Sequence, residues 1–128
     1  MKFDNPLYRE QIHQAPTARA AKQLGQTREQ PLRPDWEECK RRIMLEALVS
    51  KFMVGDPDLR RRLLATGNAL LVEANAHDNY WGMGDGKGQN QLGRLLMAVR
   101  AVLAAVEAAW TQETAFCEVS RQLGWVNP

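Results

Sequence analysis

Apolar side chains recur every three or four residues over most of this chain, which is the spacing that lets a helix bury one face. The pattern predicts five helices, at residues 5–14, 17–24, 35–55, 56–67 and 92–110. Typical start and stop residues flank them, such as Gly25 after the second helix and Asp56-Pro57 before the fourth. Residues 110–123 keep the helical pattern, and they are predicted either to continue the last helix or to form a separate short one.

One segment favours a strand instead. Residues 69–74 form a short apolar run bounded by Gly67-Asn68 and Asn75. Because a single strand cannot make a sheet, either the fold is essentially helical or further strands come from elsewhere.

Composition fits one small domain. The chain has 128 residues, 45% of them hydrophobic, and a formal net charge of +2, which gives no argument for a nucleic-acid partner. Basic clusters at residues 40–42 and 60–62 are interpreted as solvated helix faces, with a phosphate-bearing partner as the alternative. Cys39 and Cys117 form no C-x-x-C motif, and each is predicted to be a small buried side chain. We expect a cytoplasmic protein, since no stretch resembles a signal peptide or a membrane span.

The segment from residue 78 to residue 93 holds the most informative chemistry. Four glycines alternate with other residues from Gly82 to Gly88, so backbone N–H groups can turn toward one point without obstruction. The loop leads into the longest predicted helix, whose first N–H groups and dipole favour an anion, and Lys87 adds a charge. The segment matches neither a P-loop nor a dinucleotide fingerprint. A phosphate cradle is one interpretation and a flexible surface loop is the other.

Aromatic and acidic side chains precede these glycines. Trp81 and Tyr80 can stack on a nucleobase or another planar heterocycle. Asp78 can hydrogen-bond a ribose hydroxyl or stabilise positive charge on a sugar ring. The alternatives are that Trp81 packs in the core and that Asp78 serves a turn.

Three motifs follow one another along the chain. They are Pro31-Leu32-Arg33-Pro34-Asp35-Trp36, Asp78-x-x-Trp81-Gly82 and Gly88-x-Asn90-x-Leu92-Gly93. In this order and spacing they resemble the NADAR family, also called YbiA-like, over about residues 2–100. The resemblance implies an α+β, predominantly helical fold of the NADAR type in residues 1–110. Residues 111–128 are then expected to form a C-terminal helical extension.

The resemblance also implies a function, because members of this family are N-glycosidases. One branch hydrolyses phosphoribosylated pyrimidine intermediates of riboflavin biosynthesis, and another removes ADP-ribose from modified guanine in DNA. Both substrates join a planar base, a ribose and a phosphate. The expected transition state resembles an oxocarbenium ion, which carboxylates stabilise. Neither a metal nor another cofactor is expected, and the sequence offers no metal-ligand cluster.

By this resemblance, Asp78 and Trp81 match catalytic positions of the family. The expected substrate-binding residues are Trp36, Tyr80, Gly82, Lys87, Gly88 and Asn90. The expected partner is a small phosphoribosyl or ADP-ribosyl substrate, with ADP-ribosylated DNA as a further candidate and no membrane.

The chain departs from the family pattern at its beginning. Family members carry several strands there, which end in a Trp-Pro-Thr-x-Glu-His-x-Phe-Gln-x-x-Lys-Phe motif whose Glu is the principal catalytic acid. Met1-Lys2-Phe3 matches only the last two residues of that motif, so most of the N-terminal strands are expected to be missing. The alternatives to an N-glycosidase are therefore a catalytically impaired module that binds ADP-ribose or a nucleotide, half of a split enzyme with a complementing chain, or a purely structural protein. A wrongly assigned or degraded reading frame would also explain the pattern, and an exposed core edge favours a homo-oligomer.

Overall fold

A computed structural model describes residues 2–123 of the chain. This part contains five α-helices and one π-helical turn: α1 (Pro6–His13), α2 (Ala18–Gly25), α3 (Trp36–Val49), the turn Ser50–Val54, α4 (Pro57–Ala65) and α5 (Gln91–Gln122). All five predicted helices are confirmed. Residues 110–122 continue α5 without a break, so no separate short helix forms there.

Local capping explains where the short helices begin. The side chain of Asn5 accepts hydrogen bonds from the N–H groups of the first turn of α1, and Thr17 does the same for α2. Asp56 caps α4 in the same way, and Pro57 occupies the first helical position. These polar residues satisfy N–H groups that have no partner inside the helix, which is why the predicted starts agree with the structure to within two residues.

The strand predicted at residues 69–74 is wrong for the part of the chain that the structure describes. Between residues 2 and 123 the only strand-like pairing is a single antiparallel bridge between Phe3 and Leu32, so the α+β class is not found there. A ladder needs a second strand beside the first, and no backbone segment takes that place along residues 69–74. The side chains of Asn90 and Arg100 bond to this segment, and so does the N–H of Met83 in the loop.

The structure divides into two compact units, one up to Leu45 and one from Glu46 onward. In the first unit Phe3 is 1% exposed, and its ring meets the ring of Tyr8 edge-on with 5.1 Å between centroids. The Tyr8 hydroxyl donates to the carbonyl of Leu24 at 2.9 Å. These contacts join the first residues of the chain to the end of α2.

The core of the second unit lies on one face of the first half of α5. Leu95, Val99 and Leu103 recur every four residues and are at most 3% exposed. Beyond Leu103 the helix and its C-cap residue Leu123 carry exposed apolar side chains, which on the helix are Val106, Trp110, Phe116 and Val119. Although α5 has 32 residues, neither it nor any other helix in the described range has an apolar stretch long enough to cross a membrane.

The two cysteines differ in their surroundings. Cys39 on α3 is buried, as predicted, and its thiol lies 3.7 Å from the carbonyl oxygen of Trp36. Cys117 is exposed on the second half of α5, so the prediction that it is buried is wrong. The helical periodicity that suggested burial is real, but the described structure places no packing partner over this side chain.

Candidate functional site

The loop from Asp78 to Asn90 lies between residues 69–75 and the start of α5. Its aromatic end is fixed to the helix start by backbone hydrogen bonds: Gln89 N to Asn79 O at 2.9 Å, Asn90 N to Gly82 O at 2.9 Å, Gln91 N to Tyr80 O at 3.1 Å and Leu92 N to Trp81 O at 3.0 Å. The loop is therefore part of the fold and not a flexible surface loop. Seven of the eight predicted site residues lie in it.

Asp78 organises the aromatic end of the loop. Its Oδ1 accepts hydrogen bonds from the N–H groups of Tyr80 at 3.0 Å and Trp81 at 2.7 Å. The turn function that was the alternative for Asp78 is thus confirmed. Within residues 2–123 its second oxygen, Oδ2, has no hydrogen-bond partner, so half of the partly exposed carboxylate remains for a ligand.

Tyr80 and Trp81 form a perpendicular pair. Their ring centroids are 4.9 Å apart, and the ring planes meet at 87°. Both side chains are only partly buried, so Trp81 does not belong to the fully buried core. Because the rings are perpendicular, a planar base can lie parallel to only one of them at a time.

The glycines of the loop allow close backbone approaches. A Cβ atom on Gly82 would lie 2.8 Å from the carbonyl oxygen of Glu73 and 2.9 Å from that of Asp78, closer than real Cβ atoms come. A Cβ on Gly88 would lie 2.5 Å from the carbonyl carbon of Met83. Gly82 and Gly88 are therefore needed to fold the loop, whether or not they also touch a ligand.

Four of the N–H groups that were expected to form a phosphate cradle are paired within the protein instead. The N–H groups of Gln91 and Leu92 already donate to loop carbonyls, and those of Gly86 and Gly88 both donate to the carbonyl of Met83, at 2.9 and 2.8 Å. The prediction that α5 begins with unpaired N–H groups is wrong for Gln91 and Leu92, because carbonyl groups of the loop accept from their N–H groups. The exposed side chain of Lys87 remains available for an anion.

Asn90 is buried at the centre of this arrangement, with 7% exposure and a left-handed backbone (φ 50°, ψ 42°). Its side-chain Oδ1 accepts from the N–H of Glu73 at 3.0 Å, and its Nδ2 donates to the carbonyl of Leu71 at 2.9 Å. Sequence reasoning assigned Asn90 to substrate binding, whereas both ends of its amide bond to the protein itself. The one sign in the sequence that Asn90 is tightly packed is Gly93, three residues later, where a Cβ atom would lie 2.6 Å from the Asn90 amide.

Sequence reasoning missed Arg100. Its side chain is 9% exposed, and Nη1 donates to Thr66 Oγ1 at 2.7 Å and to the carbonyl of Ala69 at 2.9 Å. Thr66 ends α4, where the helix dipole favours a positive charge. Arg100 thus fixes the beginning of the segment that Asn90 holds further along.

Trp36 belongs to the first compact unit, where it is the first residue of α3 and is partly buried. The backbone N–H of Trp36 donates to the carbonyl of Arg33 at 3.0 Å. The guanidinium of Arg33 binds both carboxylate oxygens of Asp35, at 2.5 and 2.8 Å. This hydrogen bonding lowers the pKa of Asp35 and raises that of Arg33. The role of Trp36 toward a substrate stays a prediction.

A groove of about 780 Å³ in the second unit lies away from the loop. It runs between α4 and α5, and its lining includes Arg60, Arg61, Leu64, Val106 and Trp110. None of the predicted site residues lines it. The loop remains the better candidate, because it combines a carboxylate, an aromatic pair and a cation within thirteen residues.

Comparison with known proteins gives a consistent result. A family model described as the NADAR domain matches residues 1–104. N-glycosidase YbiA of Escherichia coli is 45% identical over 104 residues, which cover 80% of this chain and 64% of YbiA. An N-glycosidase of Nostoc punctiforme is 46% identical over 90 residues, covering 70% of this chain and 57% of that protein. The chloroplastic riboflavin biosynthesis protein PYRR of Zea mays is 39% identical over 115 residues, which cover 83% of this chain and 18% of PYRR.

The fold also has a solved counterpart. The NMR structure of the Escherichia coli protein YbiA matches with a TM-score of 0.74 at 44% identity, over 84% of this chain and 64% of that one. The chain therefore spans less than two thirds of the length of YbiA.

Proposed function

Because this chain belongs to the NADAR domain family, we propose that it acts in the hydrolysis of an N-glycosidic bond between a planar base and a ribose that carries phosphate. The observation that carries the proposal is the fixed loop in which Asp78 is hydrogen-bonded to the backbone of Tyr80 and Trp81. It places a carboxylate directly beside an aromatic pair. The relatives named N-glycosidases support the same reaction class.

In this proposal Asp78 acts on the sugar. As the bond to the base breaks, positive charge develops on the ribose ring, and a nearby carboxylate stabilises it. The Oδ1 atom is already occupied by two N–H groups, so Oδ2 is the oxygen that faces the substrate. Trp81 or Tyr80 stacks on the leaving base, and Lys87 binds the phosphate as a point charge.

Phosphoribosylated pyrimidine intermediates are the substrate class to test first. The name of the Zea mays relative refers to riboflavin biosynthesis, and the Nostoc and Escherichia coli relatives are named N-glycosidases. ADP-ribosylated guanine, free or in DNA, is the second class. It presents the same three parts to the loop, with a second phosphate for Lys87.

A module that binds ADP-ribose or a nucleotide without cleaving it is the second candidate function. The observation that favours it is that Asp78 Oδ1 already accepts hydrogen bonds from the N–H groups of Tyr80 and Trp81, so this carboxylate serves to hold the loop. In half of a split enzyme, a complementing chain would supply further catalytic groups. The loop around Asp78 would then contribute binding and charge stabilisation only.

The test removes the charge of Asp78 while keeping the turn that its side chain forms with the backbone of Tyr80 and Trp81. In Asp78→Asn the side-chain oxygen still accepts from the N–H groups of Tyr80 and Trp81, so the loop is expected to keep its shape. The variant and the wild type are incubated with a phosphoribosylated aminopyrimidine, and free base is measured by chromatography. Loss of charge stabilisation should lower the rate about 100-fold or more.

Asp85→Asn is the matched control, because this carboxylate belongs to the same loop and accepts from the N–H of Lys87 at 3.3 Å. It should retain the wild-type rate. Equal rates for Asp78→Asn and the wild type would refute the role of Asp78. A wild-type chain that binds ADP-ribose in calorimetry but releases no base from either substrate class would favour the binding module.

A further inference from the structure

One buried residue, Asn90, bonds to three separate parts of the second unit. Its side chain bonds to Leu71 and Glu73, its N–H donates to the carbonyl of Gly82 at 2.9 Å, and its own carbonyl accepts from Arg94 N at 3.0 Å in the first turn of α5. The partners lie 8 to 19 positions earlier in the chain, apart from the helical one. A single residue thus joins the segment before the loop through its side chain, and the loop and the following helix through its backbone.

The side-chain amide of Asn90 takes the place of a strand residue. In a parallel ladder, one residue donates to a carbonyl of the neighbouring strand and accepts from the N–H two residues further on. Asn90 makes this same pair of bonds, to Leu71 O and Glu73 N, through its side chain. The amide offers a donor and an acceptor side by side at every pH, whereas an ionised Asp has no donor and Leu has neither.

The backbone around Asn90 is adapted to this bond pair. Its φ of 50° lies in the left-handed region, which Asn adopts more readily than most residues. A Cβ on Gly93 would lie 2.6 Å from both terminal atoms of the Asn90 amide, so glycine is required one helical turn later. The two residues together allow the segment around Leu71 to approach the helix.

The bonds continue from Asn90 to the candidate catalytic groups. The carbonyl of Glu73, the residue held by Asn90 Oδ1, accepts from the N–H of Met83 at 2.9 Å. Gly82, held by Asn90 N, directly follows Trp81, whose N–H is bound by Asp78 at 2.7 Å. Asn90 therefore holds both sides of the turn that carries Asp78 and Trp81, the Glu73 side through its side-chain amide and the Gly82 side through its backbone N–H.

We infer that Asn90 is a positioning residue of the candidate site, which sets the place of Asp78 and Trp81 through backbone bonds and does not itself bind substrate. This inference rests on the proposed N-glycosidase function where it concerns rates. It replaces the expectation that Asn90 is a substrate ligand. The bond pair itself exists without substrate, so it can be tested in the free chain as well.

Asn90→Asp separates the donor from the acceptor. The ionised carboxylate keeps the acceptor for Glu73 N–H but has no donor for Leu71 O and repels that oxygen. Because this disfavours the charged form in the folded chain, the pKa of the new carboxyl should rise above its ordinary value of about 4. Below that raised pKa the protonated acid again offers one donor and one acceptor, so low pH should restore the bond pair.

The raised pKa of the new carboxyl leads to a prediction for the kinetics of Asn90→Asp. At about pH 8, Asn90→Asp should lower kcat about 10- to 100-fold with little change in KM, as expected when geometry and not substrate affinity is lost. The ratio of wild-type to variant kcat should shrink as pH falls toward about 5. Asn68→Asp, which introduces the same charge at an exposed position of the same unit, should show neither effect.

The second measurement is hydrogen exchange at the backbone N–H of Glu73 in the chain without substrate. Asn90→Gly keeps the left-handed backbone and removes the amide, so protection of Glu73 should fall about 10-fold or more. Asn90→Asp should retain most of it because the acceptor remains. Unchanged protection in Asn90→Gly would overturn the inference, and so would an Asn90→Asp variant in which KM rises while kcat stays at the wild-type value.

The two proposals can fail separately. If the wild type releases no base, the proposed function fails, while exchange at Glu73 in Asn90→Gly still decides whether Asn90 holds the loop. If the wild type is active and Glu73 exchange is indifferent to Asn90, the positioning inference fails alone. Should Asn90→Gly not fold, Asn90→Ala, which also removes the side-chain amide, gives the same decision through exchange at Glu73.

Discussion

Gly93 lies in the first turn of α5, at a position where a side chain would meet the segment that precedes the loop. An ideal Cβ there would overlap the carbonyl oxygen of Leu71 and lie 2.6 Å from both Nδ2 and Oδ1 of Asn90. The informative perturbation is Gly93→Ala. Alanine is the better helix former, so helix propensity and packing predict opposite signs for this substitution.

The magnitude follows from the distances. Real Cβ atoms stay at least 3.0 Å from other heavy atoms, so the Asn90 amide would have to withdraw by several tenths of an ångström from its 2.6 Å separation. Overpacking of this kind costs about 1–3 kcal/mol, and each weakened hydrogen bond adds about 0.5–1.5 kcal/mol. Helix propensity returns about 1 kcal/mol. With both hydrogen bonds of the Asn90 amide weakened, the expected net loss is about 1–5 kcal/mol of unfolding free energy.

Urea unfolding followed by far-UV circular dichroism measures this loss as a lower transition midpoint at an unchanged slope. Gly25→Ala is the matched control, because Gly25 ends α2 and a Cβ atom on it would have no neighbour within 4 Å. That variant should be as stable as the wild type or more stable by up to about 1 kcal/mol. If Gly93→Ala is as stable as the wild type or more stable, the argument that Asn90 and its hydrogen-bond partners leave no room for a side chain at position 93 is refuted.

Two further predictions concern charged side chains. Arg100→Met leaves Thr66 Oγ1 and the carbonyl of Ala69 without their donor and should cost about 1–3 kcal/mol in thermal unfolding. Arg94→Met, at an exposed position of α5, should change stability by less than about 0.5 kcal/mol. Because Arg33 lowers the pKa of Asp35, the contribution of this carboxylate is present above its ordinary pKa and is lost as pH falls through the lowered value. Asp35→Asn should therefore flatten the acid side of the stability profile; superimposable profiles of the variant and the wild type would contradict the pairing.

The helices were predictable from the sequence because their signals are local. Asn5, Thr17 and Asp56 each cap a helix whose first N–H groups lie two or three residues away. The apolar face of α5 up to Leu103 follows from period alone. The π-helical turn Ser50–Val54 was not predicted, since the sequence there continues the ordinary helical pattern.

Residues 69–74 show what the local sequence pattern could not predict, which is the set of groups that bond to the backbone of this segment. An apolar run of this length predicts a strand, yet the pattern does not reveal whether a second strand or a set of side chains will meet its backbone. In the described structure the side-chain partners of this segment are Arg100 for Ala69 and Asn90 for Leu71 and Glu73. Both lie 17 or more residues away in sequence, so no window around the segment contains them.

The sequence by itself determined the helices, the family motifs and the loop in which Asp78 and Trp81 stand close to each other. Only the tertiary structure decided what the loop does with its polar groups. The helix start that was predicted to bind phosphate is capped by the loop, and Asn90, predicted to bind substrate, bonds to backbone. The physical reason is that every buried N–H and C=O needs a partner, and which partner it finds depends on the segments that folding brings together.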